Sequence, residues 1–257
     1  MPTARPFRPS LIVVALLPAT ALAWGDDCKF TADRTASVDT TGAARIEIAA
    51  RAGDLELRRA DSKTISASGR ACASSEEILS QINIRARREG DAVRVYVEVP
   101  DPLEGFGKYA WLDLSVDVPD GLPVTLTDSS GDMTLDGVQA VSITDSSGDI
   151  VARNLPADVE IRDSSGDVRV ENAAGRVQIS DSSGDITVRG AREVVIPSDS
   201  SGSIRITQVK GDVRIENDSS GDISVADIGG GFELVTDSSG DVDVGKVAGP
   251  VRLPERD

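Results

Sequence analysis

Seven copies of the motif Asp-Ser-Ser-Gly-Asp place thirteen carboxylates at regular spacing in the second half of the chain. The first aspartates are Asp128, Asp145, Asp163, Asp181, Asp199, Asp218 and Asp237, and the closing aspartates are Asp132, Asp149, Asp167, Asp185, Asp222 and Asp241. The fifth copy ends in Ser203 instead. Carboxylate and carbonyl oxygens are the ligands that Ca²⁺ prefers. One hypothesis is therefore that these thirteen residues bind calcium between successive repeats.

A second interpretation of the motif needs no cofactor. An aspartate that opens a turn can accept hydrogen bonds from the backbone N–H groups that follow it. If repeats stack at the β spacing of about 4.8 Å, like charges repel by about 0.9 kcal/mol per neighbour even in bulk water. Raised carboxyl pKa values and salt screening would then have to offset this repulsion. Both rows of aspartates are expected along one polar edge.

Catalysis is a third class to weigh for these residues. Polysaccharide-cleaving β-helices use acidic or basic side chains in a groove, but no carboxylate pair stands apart from the repeated background here. The chain also has no histidine. The sequence therefore favours a protein without catalytic residues, with polysaccharide binding or cleavage kept as an alternative.

The elements that must position the motif follow from its spacing, which is 17, 18, 18, 18, 19 and 19 residues. Counted from each first aspartate, positions 5, 7, 10, 14 and 16 are apolar in the second to seventh copies, and polar residues lie between them. The first copy is one residue short, and its last two apolar positions are 13 and 15. The first copy gives Met133, Leu135, Val138, Val141 and Ile143, the fourth Ile186, Val188, Ala191, Val195 and Pro197, and the seventh Val242, Val244, Val247, Val251 and Leu253. This alternation is typical of half-buried strands. It predicts an all-β protein, a parallel β-solenoid (β-helix) with two short strands per 17–19-residue coil.

Glycines mark two turns in each predicted coil. One is the motif glycine, and the other lies near position 12, as Gly175, Gly211, Gly230 and Gly249. Both sets are expected to adopt positive φ.

The chain divides into three predicted regions. Residues 1–23, with Arg5 and Arg8, an apolar stretch and Ala21 and Ala23 around Leu22, are typical of a secretory signal peptide. Residues 24–127 keep strand alternation without the motif and are expected to form irregular coils that cap the solenoid, with a short helix after Ser75. Residues 128–257 form the seven-coil repeat. We thus expect an exported protein of the periplasm, cell surface or medium, without a transmembrane segment after cleavage.

Charge and cysteine content restrict the partners and the compartment. Cleavage leaves 25 basic and 43 acidic side chains, a formal charge of −18. Such a surface repels nucleic acid and favours cationic or neutral partners. Cys28 and Cys72 are the only cysteines, and in an oxidising compartment they are expected to form a disulfide.

The repeat resembles a known family. Val118-Pro119-Asp120-Gly121-Leu122, the first motif at 127–132 and the later Ser-Gly-Asp-Ile/Val steps are similar to the bacterial adhesin-like repeat family of unknown function, over roughly residues 40–253. The resemblance implies a β-solenoid at the cell envelope, with an adhesin-like role and no catalytic residues to transfer. We therefore predict a non-enzymatic module that presents an acidic repetitive surface to an envelope protein or a carbohydrate. A calcium-binding structural solenoid is the first alternative.

Overall fold

The computed structural model describes residues 28–101, 103 and 106–255, and these residues form two large sheets. The predicted signal peptide lies outside the described residues. The helix α1 spans Glu76–Leu79. The strands are β1 (Phe30–Asp39), β2 (Arg45–Ala49), β3 (Leu55–Ala60), β4 (Thr64–Ala73), β5 (Asn83–Glu89), β6 (Ala92–Glu98), β7 (Ala110–Pro119), β8 (Val124–Thr127), β9 (Met133–Asp136), β10 (Ala140–Thr144), β11 (Ile150–Arg153), β12 (Val159–Arg162), β13 (Val168–Glu171), β14 (Arg176–Ser180), β15 (Ile186–Ala191), β16 (Glu193–Ser198), β17 (Ile204–Val209), β18 (Val213–Asp218), β19 (Ile223–Ile228), β20 (Phe232–Asp237), β21 (Val242–Val244) and β22 (Val251–Arg252). No helix within these described ranges is long and apolar enough to cross a membrane.

Each coil of the repeat contributes one strand to each sheet. Sheet A has the order β1-β4-β7-β3-β9-β11-β13-β15-β17-β19-β21, and sheet B has the order β22-β20-β18-β16-β14-β12-β10-β8-β2-β6-β5. From β9 onward neighbours in sheet A pair in parallel and in register, so that Ile150 lies between Met133 and Val168. The prediction of a parallel β-solenoid with two short strands per coil is confirmed.

At the amino-terminal end, the order of the coils differs from the order of the chain. The coil made by β2 and β3 lies between the coil of β6 and β7 and the coil of β8 and β9. The outermost strands run antiparallel, β1 with β4, β4 with β7, and β5 with β6. The capping region therefore joins parallel coils to antiparallel strands, where irregular coils were expected. The predicted short helix is present, and the Ser75 hydroxyl accepts a hydrogen bond from the Ile78 N–H.

The core lies between the sheets and consists of the inward-facing aliphatic side chains of both. Most of the predicted core positions are buried, from Met133 and Leu135 to Phe232 and Leu234. In the first coil Val141 is exposed and Ala140 is buried instead, because β10 shifts register against β8 between Ala140 and Ser142. Such a β-bulge moves every later side chain by one position.

The fourth coil needs the same correction. Val194 and Ile196 fill the core and pair with Val213 and Ile215, whereas Pro197 is only half-buried. Val195 is buried, but it pairs with Arg214 in the outward phase. The pairing of β14 with β16 shifts after Gln178, which explains the one-residue difference.

In the seventh coil, the predicted core residues Val251 and Leu253 are exposed. The strands β21 and β22 are edge strands, so their inward side chains lack a covering coil on one side within the described chain. Val242, Val244 and Val247 are half-buried for the same reason.

The second turn of each coil differs from its prediction. Gly175, Gly211, Gly230 and Gly249 do not have positive φ. A Cβ on Gly175 would lie 2.4 Å from the main-chain carbon of Ala157, so this glycine is required by close stacking of neighbouring coils. Positive φ occurs instead at position 9, which holds Gly137, Asn154, Asn172, Gly190, Gln208 and Asp227. Asparagine tolerates this conformation better than most residues, and the Asn154 amide also donates to Asp136 over 2.7 Å.

Candidate functional site: two aspartate ladders

The Asp-Ser-Ser-Gly-Asp motif forms the corner at which the chain leaves sheet B and enters sheet A. Its glycines, from Gly131 to Gly240, have φ between +119° and +135°. A Cβ on Gly184 would lie 1.9 Å from the carbonyl oxygen of Gly166, one coil earlier. The predicted positive φ is confirmed here, and the corner also stacks too closely for any other residue.

The first aspartates of six copies point into the corner, and we name Asp128, Asp145, Asp163, Asp181, Asp199 and Asp218 the inner ladder. Their exposed fractions are only 1–5%. They continue the alternation of the preceding strand, since Ile143 is buried, Thr144 is exposed and Asp145 is buried. That phase was available in the sequence, but the first aspartates were expected on the surface. The seventh, Asp237, is half-buried.

Four inner-ladder carboxylates cap their own turn. The backbone N–H of the following serine donates to Oδ1 over 2.6–2.7 Å at Asp128, Asp145, Asp163 and Asp181. This confirms the turn-capping interpretation for these copies. Their Oδ2 atoms are buried without a hydrogen-bond partner in the described structure.

Asp199 and Asp218 are capped less well, because neither carboxyl oxygen makes a hydrogen bond of good geometry in the part of the chain described, although the nearby backbone N–H groups of Ser200 and Ser219 still lower the pKa of the two residues respectively. The Ser219 N–H donates to the main-chain oxygen of Asp199 over 3.1 Å, and Ser238 makes the equivalent bond to Asp218. The serine that could cap Asp218 is thus used to join neighbouring coils.

Burial raises the pKa of every inner-ladder carboxyl. The pKa is about 7 for Asp128 and Asp199 and about 6 for Asp163 and Asp218, with desolvation as the largest cause. Repulsion from ladder neighbours adds to it, for example from Asp181 and Asp218 at Asp199. The pKa values of Asp145 and Asp181 are also raised, chiefly by desolvation. The direction agrees with the expectation, but desolvation exceeds the expected repulsion as its cause.

The closing aspartates form a second row on the outside of the corner. We name Asp113, Asp54, Asp132, Asp149, Asp167, Asp185, Asp222 and Asp241 the outer ladder, and all are exposed. From Asp113 to Asp185, each Oδ1 accepts the backbone N–H of the equivalent residue in the next coil over 2.8–3.1 Å. Asp222 binds the Asp241 N–H in the same way. Ser203, which donates to Asp185, is the one uncharged member of the row.

Two outer-ladder residues, Asp54 and Asp113, were missed from the sequence. Gly53-Asp54-Leu55 repeats the Gly-Asp-aliphatic step of the motif, and Gly53 has φ +108°, so this signal was present. Asp113 lies between Leu112 and Leu114 with no glycine before it. Its place depends on the insertion of β3 beside β7, which no local pattern predicts.

Several charges on the flat faces form salt bridges, in contrast to those of the corner. On sheet B Arg214 bridges Glu216 and Glu233, and on sheet A Arg153 bridges Glu171. In the described ranges, no salt bridge reaches the outer-ladder residues Asp54, Asp132, Asp149, Asp167, Asp185, Asp222 and Asp241. A row of carboxylates without salt bridges in the described ranges therefore runs along one corner.

A shallow groove of about 770 Å³ opens beside the amino-terminal end of the outer ladder. It crosses the outward face of β1, β4, β7, β3 and β9, and its lining includes Asp33, Glu56, Ser68, Arg70, Asp113 and Asp132. Acidic groups thus continue from the ladder into the concave surface next to it.

The structure separates the thirteen residues predicted to bind calcium. Seven belong to the first-aspartate row, of which six are buried, and the other six lie on the outer ladder. Across the described residues, no three aspartates, glutamates or cysteines come together as a metal-binding group. Calcium binding stays a prediction. Cys28 and Cys72 form a disulfide, with Cα atoms 5.8 Å apart, that joins the start of the described chain to β4.

Comparisons with known proteins identify a family. The model of the Toastrack DUF4097 family matches residues 39–195. No curated protein sequence matches the chain.

The solved structures that match this chain are distant in sequence. A candidate cell adhesion protein from Clostridium sporogenes is 11% identical, with a TM-score of 0.41 and coverage of 88% of this chain and 100% of that one. A candidate adhesin from Bacteroides fragilis is 14% identical, with a TM-score of 0.45 and coverage of 87% and 97%. A candidate lipid-binding protein from Parabacteroides distasonis is 16% identical, with a TM-score of 0.47 and coverage of 85% and 96%. At these scores, the matches carry no argument about function.

Proposed function

The chain belongs to the Toastrack DUF4097 family, and from this premise we propose that it is an exported, non-enzymatic, adhesin-like solenoid that binds its partner through the outer ladder. The partner is an envelope protein or a carbohydrate at the cell surface. The observation that carries the proposal is the row of exposed aspartates Asp54, Asp132, Asp149, Asp167, Asp185, Asp222 and Asp241, which no arginine or lysine in the described ranges bridges.

The geometry of the outer ladder suits repeated contacts with an extended partner. One oxygen of each carboxylate is fixed by the next coil, which holds the side chain in a defined orientation at each step. For Asp132, Asp149, Asp167 and Asp185, the second oxygen has no hydrogen-bond partner within the described chain. A rigid row of acceptors at the β spacing of about 4.8 Å loses little side-chain entropy on binding.

Two further features support a role without catalysis. The same side chains recur from coil to coil, so no single carboxylate pair has a distinctive environment on the outer ladder. The signal-peptide pattern at residues 1–23 and the acidic composition agree with an exported protein that selects cationic or hydrogen-bond-donating partners. The groove at Arg70 and Asp113 extends this surface at one end.

The test compares two variants of equal charge. In the ladder variant, Asp132, Asp149, Asp167 and Asp185 are changed to asparagine, which keeps the Oδ1 acceptor. In the control variant, the exposed residues Asp91, Asp120, Asp227 and Asp243 are changed to asparagine. Retention on isolated bacterial envelopes and on a panel of cell-surface polysaccharides is measured at low and high salt.

We expect the ladder variant to bind at least about tenfold more weakly, corresponding to about 1.4 kcal/mol, and the control to bind like the wild type. Equal losses in both variants would mean that only net charge matters. Unchanged binding by the ladder variant would refute the assignment of this surface. Turnover of any polysaccharide in the panel would refute a non-enzymatic function.

A further inference from the structure

The inner ladder is unusual because it buries like-charged groups next to one another. Among the described residues, its six aspartates are the only buried ionisable side chains outside the disulfide, and Thr40 is the only other buried polar residue. Ionised carboxylates are almost never buried unless they are paired with a cation. A function for this column does not depend on the proposed partner of the outer ladder.

The described surroundings of the inner ladder supply no compensating cation. The charges that act on its members are those of ladder neighbours, together with Asp54 at Asp128, Asp132 at Asp145 and Asp167 at Asp181. No arginine or lysine of the described chain is among the principal electrostatic influences on these six groups. The charged groups that principally act on the column are therefore acidic.

Stacking brings each inner-ladder carboxyl next to its neighbours. Asp199 pairs with Asp218 in parallel, and Asp218 pairs with Asp237, so successive members are one strand spacing apart. An Oδ2 atom without a partner is present at every described step from Asp128 to Asp218. A neutral carboxyl has a hydrogen-bond donor on one oxygen, which a carboxylate lacks.

We propose that the inner ladder is a column of shared protons, in which a neutral carboxyl of one coil donates its acid hydrogen to a carboxyl oxygen of the next. This arrangement satisfies the unpartnered Oδ2 atoms and removes part of the repulsion between coils. The coil stack then holds protons that the unfolded chain releases, and the corner loosens when they are lost.

The sign of the pH dependence follows from the raised pKa values. The folded pKa values are about 6 to about 7 at four members, against 3.8 for an ordinary aspartate. A raised carboxyl pKa means that the folded chain binds more protons than the unfolded chain between these limits. The contribution to stability is complete below pH 3.8 and is lost as the pH rises through 6 to 7. As the pH rises across this window, the unfolding equilibrium constant increases about tenfold per pH unit for each extra proton that the folded chain holds.

Two carboxyl groups outside the ladder, Glu47 and Asp158, stay ionised throughout this pH range. The pKa values of Glu47 and Asp158 are lowered, by the Arg94 hydrogen bond and by the Arg176 backbone N–H respectively, so both groups stay ionised above about pH 5.

The experiment measures thermal unfolding of the full chain by circular dichroism between pH 5 and 8.5. The test variant is Asp163→Asn/Asp181→Asn, in which amides replace two inner carboxyls. The matched control is Asp167→Asn/Asp185→Asn, in which the outer residues of the same two coils are changed. We expect the wild type and the control to melt at clearly lower temperature at pH 8.5 than at pH 5, and the test variant to show a smaller difference.

Infrared spectroscopy of the wild-type chain gives a second measurement that does not require the variants to fold. At pH 6 the folded protein should show the carbonyl band of protonated carboxyl groups, and the band should disappear on heating through the transition. Absence of this band would overturn the proposal, as would a melting temperature that is independent of pH.

Discussion

The inner and outer ladders consist of the same residue type, aspartate, in two different surroundings. Asp181 and Asp185 lie in one turn, yet the first is 3% exposed and caps its own turn, while the second is exposed and binds the next coil. The pKa of Asp181 is raised by desolvation. Burial of carboxyl groups therefore destabilises their ionised form in the inner ladder, whereas the outer ladder exposes its charge to solvent.

Orientation, and not residue type, decides what an aspartate in this motif does. The glycine between the two ladders reverses the direction of the chain, so the first aspartate completes the inward phase of one strand and the last one precedes the inward phase of the next. Ile186 follows Asp185 directly and is fully buried. A surface role and a structural role can thus alternate within one five-residue motif.

The largest effect is expected from the glycine that separates the ladders. In Gly184→Ala, the new Cβ would lie 1.9 Å from the Gly166 carbonyl oxygen at a φ of +133°. Backbone strain and overpacking together should cost about 3–5 kcal/mol of unfolding free energy. Urea unfolding at pH 5 provides the measurement.

The control for this substitution is Gly90→Ala. Gly90 has φ +63°, but no atom lies within 4 Å of the place that an alanine methyl group would take, so only about 1 kcal/mol should be lost. Similar costs for the two variants would show that the corner can relax, and the separation of inner from outer carboxylates would lose its structural basis.

The next largest effect is expected from replacing the inner aspartate, Asp181, and a smaller one from replacing the outer aspartate, Asp185. Asp181→Ala leaves the Ser182 N–H, 2.6 Å from the carboxylate in the wild type, without its acceptor inside the corner. This should cost about 1–3 kcal/mol at pH 5. Asp185→Ala exposes the Ser203 N–H at the surface, where water replaces the lost bond, and should cost about 0.5 kcal/mol.

The same pair should respond differently to pH. At pH 8.5 ionisation of the wild-type inner carboxyl destabilises the folded chain, so the cost of Asp181→Ala should shrink while that of Asp185→Ala stays constant. Equal costs at both positions and both pH values would remove the distinction between the ladders.

Much of the fold could be predicted because burial imposes a repeating constraint. Strand alternation and the 17–19-residue period indicated the solenoid, its two strands per coil and most of its core. Val141 and Pro197 were assigned incorrectly because β-bulges in the first and fourth coils shift the phase, and a bulge preserves the composition of the strand that contains it. The antiparallel β1, β4 and β5 could not be predicted from alternation, which is the same for both strand directions.

The residues of the candidate site could be predicted from the sequence, but their separation into a buried row and an exposed row could not. The motif showed that aspartates line one edge, and the turn-capping hydrogen bonds followed from their position. The burial of the inner ladder was missed because a charged residue was assumed to face solvent, although the alternation of Ile143, Thr144 and Asp145 placed it inward. Asp113 belongs to the outer ladder because the coil of β2 and β3 is inserted out of chain order. Its place could therefore be found only from the structure.

The smallest effect is expected at the interruption of the outer ladder. Ser203→Asp places a carboxylate between Asp185 and Asp222 and should change the unfolding free energy by no more than about 0.5 kcal/mol, because surface charges interact weakly. The change should be destabilising at low salt and vanish at about 1 M salt, where the Debye length is about 3 Å. The control Ser203→Asn offers a similar side chain without the charge.

Calcium makes this substitution informative despite its small effect on stability. If the outer ladder binds calcium, a continuous row should bind it more tightly, and millimolar calcium should raise the melting temperature of Ser203→Asp more than that of the wild type or Ser203→Asn. If the outer ladder binds only a protein or carbohydrate partner, calcium should leave all three chains alike. The inner ladder contributes equally to the three proteins, so any difference between them belongs to the outer ladder alone.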